Sequence, residues 1–556
     1  MSPRPGRALR IVVIGFGPVG ARFAEEVAPG VRDGSIQMTV VGQEPVDAYN
    51  RVLVADHAVG STGLADMMLV SAEDLALDGI RVLRGTTAMQ IDRETRTVEL
   101  DTGETLPYDR LVLATGARAN VPTLDGVDRR KRDLPALEKY GRSLLLSDHD
   151  LPRGVCTLRD LADADAVAEV VRSGGRIVVL GAGVLGLELA LSAARAGADV
   201  VVVHHGPTPM PRNLDRGGGS VLAAALRAAG VEVIAHSRAE AIGHRDDPAG
   251  GRHFDALITA DGKRITGDLL VLSCGVSARS DLAILAGVRV GSGVLVGEDL
   301  SSWSDERIFA IGDCAHVLAP TPELRSERIV PGGPPGLIGP GWRQAEWLAA
   351  RFLIEAAAGG PPLELGPPPV ERASTVALKA ERVDVVAVGD VQAEPWDVES
   401  TTADGCSVHP AAPAAPRSVS VWADPDHGRY VKMITRAGVL TAFVCIGMPR
   451  TAAELTLLYD GGGELPADRS VLLRLDGPDA IGGASADAFA PSTTVCTCNG
   501  VTVGRIMDAA QSGSTTVACI GKATRAGTGC GGCTGRIAAV LERVADGDRQ
   551  SEPVPA

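Results

Sequence analysis

The sequence is poor in aromatic residues, in net positive charge and in long apolar runs. Aromatic side chains make up 3% of its 556 residues, and 54 basic against 69 acidic residues give a formal net charge of −15. Binding to duplex nucleic acid needs a strong basic patch, so nucleic acid is not an expected partner. No uncharged apolar run approaches the roughly 18 residues of a membrane span, so no membrane association is expected either.

Features of secreted proteins are also missing. The apolar run at residues 11–14 ends at Gly15 and is too short for the core of a signal peptide. Ten cysteines in a chain of this length do not indicate a disulfide scaffold. We therefore expect a cytoplasmic protein, and the length predicts about three or four domains.

Two stretches of the sequence share the order of a β-branched run, a glycine-rich turn and a helical segment. The first reads R-I-V-V-I-G-F-G-P-V-G over residues 10–20, and the second reads R-I-V-V-L-G-A-G-V-L-G over residues 176–186. This order is typical of Rossmann-like dinucleotide-binding domains. The repeat predicts an α/β protein with two such domains.

Each glycine of the first motif has a physical role in binding a dinucleotide. Gly15 permits a tight turn, Gly17 lets the backbone approach a pyrophosphate, and Gly20 lets the helix pack on the strand. The start of the helix offers free N–H groups to the phosphates. A carboxylate about twenty residues on can accept hydrogen bonds from the ribose. The candidate residues are Gly15, Gly17, Pro18, Val19, Gly20 and Glu44.

The second motif meets the same requirements. The strand that comes after it, over residues 200–203, ends in His204 and His205, where an acidic residue is expected. Without that carboxylate the sequence does not select NAD over NADP by charge. The candidate nucleotide-binding residues here are Gly181, Gly183, Val184, Leu185, Gly186 and Glu188.

Four cysteines form two close pairs near the C-terminus, Cys496-x-Cys498 and Cys530-x-x-Cys533. Four thiolates in two pairs suit either a [2Fe–2S] cluster or a structural zinc ion, and the spacing alone leaves both open. Cys519, which stands between the pairs, is expected to be a packed thiol.

Further segments resemble the FAD domain of two-dinucleotide-fold flavoprotein reductases. They are Y-D-R-L-V-L-A-T-G-A at 108–117 and I-F-A-I-G-D-C-A at 308–315. The resemblance implies that the first fold holds FAD, with Asp313 near its ribityl–pyrophosphate region and Thr115 and Gly116 beside the adenosine end. It also implies that the second fold holds NAD(P)H, with Gly275 in the nicotinamide-side turn. No catalytic side chain beyond the cofactors is expected.

Residues 44–70 contain no cysteine, although disulfide reductases of this superfamily carry redox cysteines there. Attack on a disulfide needs a thiolate at the flavin, so that chemistry is excluded. The segment A-Y-N-R-V-L-V at 48–54 instead resembles NADH-dependent nitrite reductase large subunits and assimilatory nitrate reductase electron-transfer subunits. This resemblance implies that Arg51 lies near the flavin, and it favours NADH.

The sequence around the cysteine pairs, at 495–502 and 524–533, resembles the bacterioferritin-associated-ferredoxin-like domain. This resemblance implies a [2Fe–2S] cluster held by Cys496, Cys498, Cys530 and Cys533, rather than zinc. The predicted domains are an FAD domain at 1–126 and 304–360, an NAD(P)H domain at 151–303, an α+β domain at 371–475 and a small [2Fe–2S] domain at 492–545. The charged stretch 127–150 is interpreted as a surface loop or a partner-docking loop. Neither this stretch nor residues 391–417 contain a motif that predicts a specific role.

The order of these parts resembles the N-terminal half of NADH-dependent nitrite reductase large subunits, without their sirohaem domain. We therefore expect an NAD(P)H-oxidising flavoprotein that cannot reduce nitrite by itself. The resemblance implies that its partner is the molybdopterin catalytic subunit of an assimilatory nitrate reductase. Three alternatives remain open: a rubredoxin- or ferredoxin-type reductase, a component of nitrite reduction, and a redox- or iron-sensing module.

Overall fold

The computed structural model describes most of the chain. The described residues are 7–127, 135–139, 145, 150–246, 252–327, 329–357, 365–369, 375–380, 383–397, 416–476, 489–496, 499–529 and 531–551. Cys498 and Cys530 lie outside these residues, as does most of the charged stretch 127–150. Within that stretch, however, Leu137 is buried and Leu145 packs against the first core, so its described part is not wholly a solvated loop.

The first unit is a five-stranded parallel sheet in the order Ile308–Ala310, Arg110–Leu113, Leu9–Ile14, Ile36–Val41 and Arg81–Leu83. The β-branched central strands are buried on both faces, as parallel strands require. Helices Pro18–Arg32 and Ile338–Ala356 pack together, and Phe352 makes edge-to-face contacts with Phe23 and Phe309. An antiparallel sheet comes next, with strands Ala88–Asp92, Thr97–Leu100 and Thr105–Pro107.

The second unit repeats this plan. Its parallel sheet has the order Val155–Cys156, Leu269–Leu272, Arg176–Leu180, Asp199–Val203 and Glu232–Ile234. Its helices are Leu161–Arg172, Val184–Arg195 and Arg216–Ala228. An antiparallel sheet of Ala239–Asp246, Arg252–Thr259 and Arg264–Thr266 completes it. The prediction of two Rossmann-like domains is confirmed.

The chain crosses between the two units through an antiparallel strand pair, Ala117–Ala119 with Val276–Ala278. It then returns to the first core at once, because helix Asp281–Leu285 contributes Leu282 and Ala283 to that core. Strands Val294–Val296 and Ala315–Val317 pair in the same region. The packing therefore returns to the first unit near residue 280, earlier than the predicted boundary at 304.

The third unit is a five-stranded antiparallel sheet that packs on both faces. One face carries Phe443 and Cys445 against helix Pro449–Gly461. The other carries Tyr430 and Val444 toward the second unit. An α+β domain is thus present as expected, and its strand order is Val376–Ala380, Val383–Val388, Val439–Ile446, Arg429–Arg436 and Arg417–Asp424.

The C-terminal module is a hairpin with three helices around a small apolar core that includes Val501, Ile506, Ile520 and Ile537. Its elements are Thr494–Cys496, Val501–Thr502, Val503–Gln511, Val517–Thr524 and Thr534–Ser551. The remaining short elements are Ala48–Tyr49, Arg51–Leu53, Val54–Ala58, Leu64–Met67, Met68–Val70, Ala72–Leu77, Gly312–Cys314, Pro322–Ser326, Pro425–His427, Ser470–Leu473 and Arg474–Asp476. Among the described helices none is both long and apolar enough to cross a membrane.

Candidate functional site

The first glycine turn has a backbone that only glycine accepts at two positions. Gly15 has φ +120°, and a Cβ there would lie 2.1 Å from the carbonyl oxygen of Ala114. A Cβ at Gly20 would lie 2.0 Å from the carbonyl oxygen of Gly15. At Gly17, by contrast, the nearest atom to a Cβ would be Nε of Arg51 at 4.0 Å, so the backbone is open to a ligand.

The second glycine turn has the same geometry. Gly181 has φ +116°, and its Cβ would lie 2.1 Å from the carbonyl oxygen of Ser273. A Cβ at Gly186 would lie 2.7 Å from the carbonyl oxygen of Gly181, and Gly183 has no neighbour within 4 Å of the same position. Gly17 and Gly183 each cap a helix without a side chain, so the first N–H groups of both helices face the turn uncapped.

One large cavity, of about 890 Å³, is lined by most of the FAD candidates and by three residues of the second motif, but not by Gly181, Gly183 or Gly186. From the FAD candidates its lining includes Gly15, Gly17, Pro18, Val19, Glu44, Arg51, Thr115, Gly116 and Asp313. Gly20 does not line the cavity, because it lies where the helix packs closely against the turn at Gly15. The second motif contributes Val184, Leu185 and Glu188, and the third unit contributes Val376, Thr456 and Asp460. The role of each residue as a cofactor ligand stays a prediction.

Glu44 lies in a charged cluster on the wall of this cavity. Its carboxylate accepts hydrogen bonds from the Arg51 guanidinium and from the Tyr49 hydroxyl, the latter at 2.8 Å. Burial alone would raise the pKa of Glu44, but the charge of Arg51 and these hydrogen bonds outweigh it and hold the pKa below its ordinary value. Glu44 is therefore ionised at neutral pH and acts as a hydrogen-bond acceptor.

Arg159 is a cavity residue that sequence reasoning missed. Its guanidinium contacts the Asp313 carboxylate at 2.9 Å and the carbonyl oxygen of Ala117 at 3.2 Å, and its own carbonyl accepts from Arg51 at 3.1 Å. The only signal in the sequence is its place just before Asp160, which caps helix Leu161–Arg172. Contacts made between distant segments leave no local pattern.

The second unit has no acidic residue at the position equivalent to Glu44. The N–H of Gly15 donates to the carbonyl of Val41, and the N–H of Gly181 donates to that of Val203, both at 2.8 Å. These two strand ends are therefore equivalent, and counting three residues on from each makes Gly206 the counterpart of Glu44. His204, expected at the place of the acid, corresponds to Gly42 instead.

His204 is buried, and within the described residues its Nε2 atom has no hydrogen-bond partner. Burial and the neighbouring His205 and His236 lower the pKa of His204, so it is neutral at pH 7. Gly275, predicted at the nicotinamide-side turn, has φ +85° and lies at the strand pair that joins the two units. It does not line the large cavity.

The described half of the predicted cluster site is Cys496 and Cys533, whose sulfur atoms are within hydrogen-bond reach of each other. A hydrogen bond from Cys533, backbone N–H groups of Gly527 and Asn499 and the Asn499 amide lower the pKa of Cys496 to about 6, although burial opposes this. Cys496 is thus a thiolate at neutral pH, the form that binds metal. Cys519 is exposed, so the expectation of a packed thiol was wrong.

The residues present fit the implied cofactors. Both glycine turns leave open backbone at a helix start, where a pyrophosphate could bind, and residues of both following helices line the cavity. The paired sulfur atoms and backbone N–H donors around Cys496 suit a thiolate-held cluster. In the part of the chain that the structure describes, no group of three or more metal-ligating side chains occurs.

Two family models match the chain. One, described as pyridine nucleotide-disulphide oxidoreductase, matches residues 9–330, more than half of the sequence. The other, described as a BFD-like [2Fe-2S] binding domain, matches residues 494–543. These matches confirm the predicted cofactors, which are FAD, NAD(P)H and a [2Fe–2S] cluster.

Similar curated proteins include the "Assimilatory nitrate reductase electron transfer subunit" of Bacillus subtilis (strain 168), 28% identical over 94% of this chain and 58% of that protein. The "Nitrite reductase (NADH) large subunit" of Escherichia coli (strain K12) is 28% identical over 96% of this chain and 55% of that protein. The chain thus spans a little over half the length of these relatives, and the predicted resemblance to both groups is confirmed.

Solved structures show the same fold. The putidaredoxin reductase in its covalent complex with putidaredoxin matches with a TM-score of 0.62 and 21% identity, covering 84% of this chain and 96% of that chain. A ferredoxin reductase from Rhodopseudomonas palustris matches with a TM-score of 0.63 and 19% identity, covering 85% of this chain and 98% of that chain.

Proposed function

We propose, from the premise that the chain belongs to the pyridine nucleotide-disulphide oxidoreductase family, that it oxidises NAD(P)H and delivers the electrons to a separate acceptor. The observation that supports this proposal is a cavity lined both by the first glycine turn and by Val184, Leu185 and Glu188 of the second motif, in a chain that also bears a [2Fe–2S] module. A cavity shared by two nucleotide sites lets a hydride pass directly from one cofactor to the other.

The chain's own residues bind and orient. Gly15, Gly17 and Gly20 would shape the turn that holds the FAD pyrophosphate, and Glu44 would accept hydrogen bonds from its ribose. The corresponding turn for NAD(P)H would be shaped by Gly181, Gly183 and Gly186. The cluster would be held by the thiolates of Cys496, Cys498, Cys530 and Cys533. When bound, the nicotinamide and the flavin would supply hydride transfer, and the cluster would supply one-electron transfer to the acceptor.

The acceptor we propose is the molybdopterin catalytic subunit of an assimilatory nitrate reductase. The support is the similarity to the assimilatory nitrate reductase electron transfer subunit of Bacillus subtilis, which matches along 94% of this chain. We also propose a cytoplasmic location, since none of the seven cysteines that the structure describes is in a disulfide, as in a reducing compartment.

A reductase for a separate small carrier is the second candidate. The fold match to a ferredoxin reductase favours it. Such an enzyme, however, would not need a cluster of its own to pass electrons to the carrier. Delivery to a nitrite-reducing partner and a redox-sensing role are the further alternatives. A sensor would bind nucleotide with negligible turnover, whereas the proposed enzyme reduces artificial acceptors rapidly with NAD(P)H.

Electron delivery through the cluster is tested by replacing one predicted ligand, Cys496→Ser. The variant should keep its flavin and its NAD(P)H-dependent reduction of a dye that accepts from flavin, but should lose cluster absorbance and electron delivery to the partner. Cys519→Ser is the matched control, since this thiol is exposed in the same module and should change nothing. Undiminished delivery by a cluster-free Cys496→Ser chain would contradict the proposal.

A further inference from the structure

The C-terminal module contacts the first unit through the side chain of Asn50. This side chain is buried, with 2% of its surface exposed. Its Nδ2 donates to the carbonyl oxygens of Thr528 at 2.9 Å and Gly529 at 2.6 Å, and its Oδ1 accepts from the N–H of Val52 at 3.1 Å. Both donors and the acceptor of the carboxamide are therefore used.

The two ends of this contact have different surroundings. On one side, Asn50 stands between Tyr49 and Arg51, both of which line the large cavity, and it caps the short helix Arg51–Leu53. On the other side, Thr528 and Gly529 directly precede Cys530 in the sequence. One buried amide thus joins the wall of the predicted flavin site to the segment that carries a predicted cluster ligand.

A second, partly buried contact lies beside the first. Arg22, on helix Pro18–Arg32, is 4% exposed, and its guanidinium lies 4.7 Å above the ring of Trp342 and donates to Oδ1 of Asn499 at 2.7 Å. Nδ2 of Asn499 donates to the carbonyl oxygen of Arg525 at 2.6 Å and points at the Cys496 sulfur at 3.7 Å. Asn499 comes directly after Cys498 in the sequence, so this contact reaches the other cysteine pair.

We propose that Asn50 is a positioning residue for electron transfer within the chain. It fixes the segment before Cys530 against the cavity wall, while the Arg22–Asn499 contact fixes the segment after Cys498. The inference rests on the proposed function, in which the two electrons of each hydride leave FAD singly for the cluster. Because such transfer slows steeply with the separation of the two centres, a module held at two points transfers faster than a loosely tethered one.

The test uses Asn50→Asp in the full chain loaded with FAD and cluster. Aspartate keeps the volume and the acceptor for the Val52 N–H, but it removes both donors to Thr528 and Gly529. After anaerobic mixing with NADH, flavin bleaching should stay within about 2-fold of the unaltered chain, while cluster reduction should slow by about 10-fold or more. Glu26→Gln is the control, since it removes the half-exposed ion pair with Arg525 and a longer one with Arg22 at 3.8 Å but leaves the Asn50 contact in place, and it should change neither rate appreciably.

A second readout does not depend on the cofactors. In the cofactor-free chain, Asn50→Asp should increase amide hydrogen exchange over residues 524–533 and leave exchange in the helix Pro18–Arg32 unchanged. Unaltered cluster reduction in a loaded Asn50→Asp chain, or equal slowing of both steps, would overturn the inference, as would unchanged exchange over 524–533. If the unaltered chain reduces its flavin but never its cluster, the proposed function fails, and the exchange measurement still decides whether Asn50 holds the module.

Discussion

The two glycine turns of this chain have nearly the same backbone conformation and the same steric restrictions, yet the segments beyond them differ. Gly15 and Gly181 have φ values of +120° and +116°, and in both turns a Cβ would lie 2.1 Å from a carbonyl of the neighbouring strand's end. Glu44 lies beyond the first turn with Tyr49 and Arg51 as partners, whereas the equivalent place beyond the second is Gly206. We therefore expect the turn to provide the dinucleotide site and the residues beyond the next strand to tune which dinucleotide it prefers.

The largest expected effect comes from Gly15→Ala. A Cβ at 2.1 Å from a backbone oxygen, at a φ that side chains avoid, should cost about 3 kcal/mol and weaken FAD binding by roughly 100-fold. The measurement is FAD retention during gel filtration together with a titration of the cofactor-free chain. Gly103→Ala is the control, since Gly103 has φ +84° but no neighbour within 4 Å, and it should keep its flavin.

Gly181→Ala should weaken NAD(P)H binding and leave FAD binding unchanged, the reverse of Gly15→Ala. The same backbone clash now lies in the second turn, so flavin content should stay normal while KM for NAD(P)H rises by roughly 100-fold. Steady-state dye reduction and the flavin spectrum measure the two effects separately. Loss of flavin together with NAD(P)H binding would show that the two turns are not independent sites.

Glu44→Gln should have a smaller effect, because the amide keeps a hydrogen-bonding oxygen and loses only the charge. We expect FAD affinity to fall about 5-fold, equivalent to about 1 kcal/mol. In the unaltered chain the pKa of Glu44 lies below its ordinary value of 4.5, so its contribution is present above that pH and is lost as pH falls through the lowered pKa. FAD retention measured from pH 6 downward should therefore decline less steeply in Glu44→Gln, and parallel profiles would argue against a role for this carboxylate.

An effect of similar size is expected for Gly206→Glu, which would give the second turn the acid that the first has. A Cβ there would meet its nearest atom at 3.6 Å, an ordinary contact, so the fold should tolerate the change. The carboxylate can accept from the ribose of NADH and repels the 2′-phosphate of NADPH, which should raise the NADH-to-NADPH ratio of kcat/KM about 5-fold. Gly206→Gln lacks the charge and should leave this ratio nearly unchanged.

The sequence was sufficient to predict the features that depend on local backbone. Both glycine turns and the two Rossmann-like units arise from residue types at fixed spacing, whereas the third unit was predicted only as an α+β domain and its antiparallel strand order was not. Glu44 was found because an acid at that distance has a known use, but its pairing with Arg51 required the two segments to meet.

Features that depend on long-range contacts could not be predicted. Arg159 beside Asp313, the third-unit residues in the cavity wall and the Asn50 contact with Thr528 join segments far apart in the chain. The prediction that His204 stands at the place of the acid failed for a simpler reason. Its strand end must be aligned by hydrogen bonds, and a count along the sequence is wrong by two residues.

The central claim is that electrons from NAD(P)H pass from flavin to cluster inside one chain. The most direct measurement is anaerobic reduction of the loaded full chain with a small excess of NADH or NADPH and no acceptor, monitored by flavin absorbance and by the paramagnetic resonance signal of the reduced cluster. The account predicts that flavin absorbance falls and that the cluster signal then appears in the same molecules. Flavin that is reduced beside a cluster that stays oxidised, or flavin that neither nucleotide reduces, would contradict it.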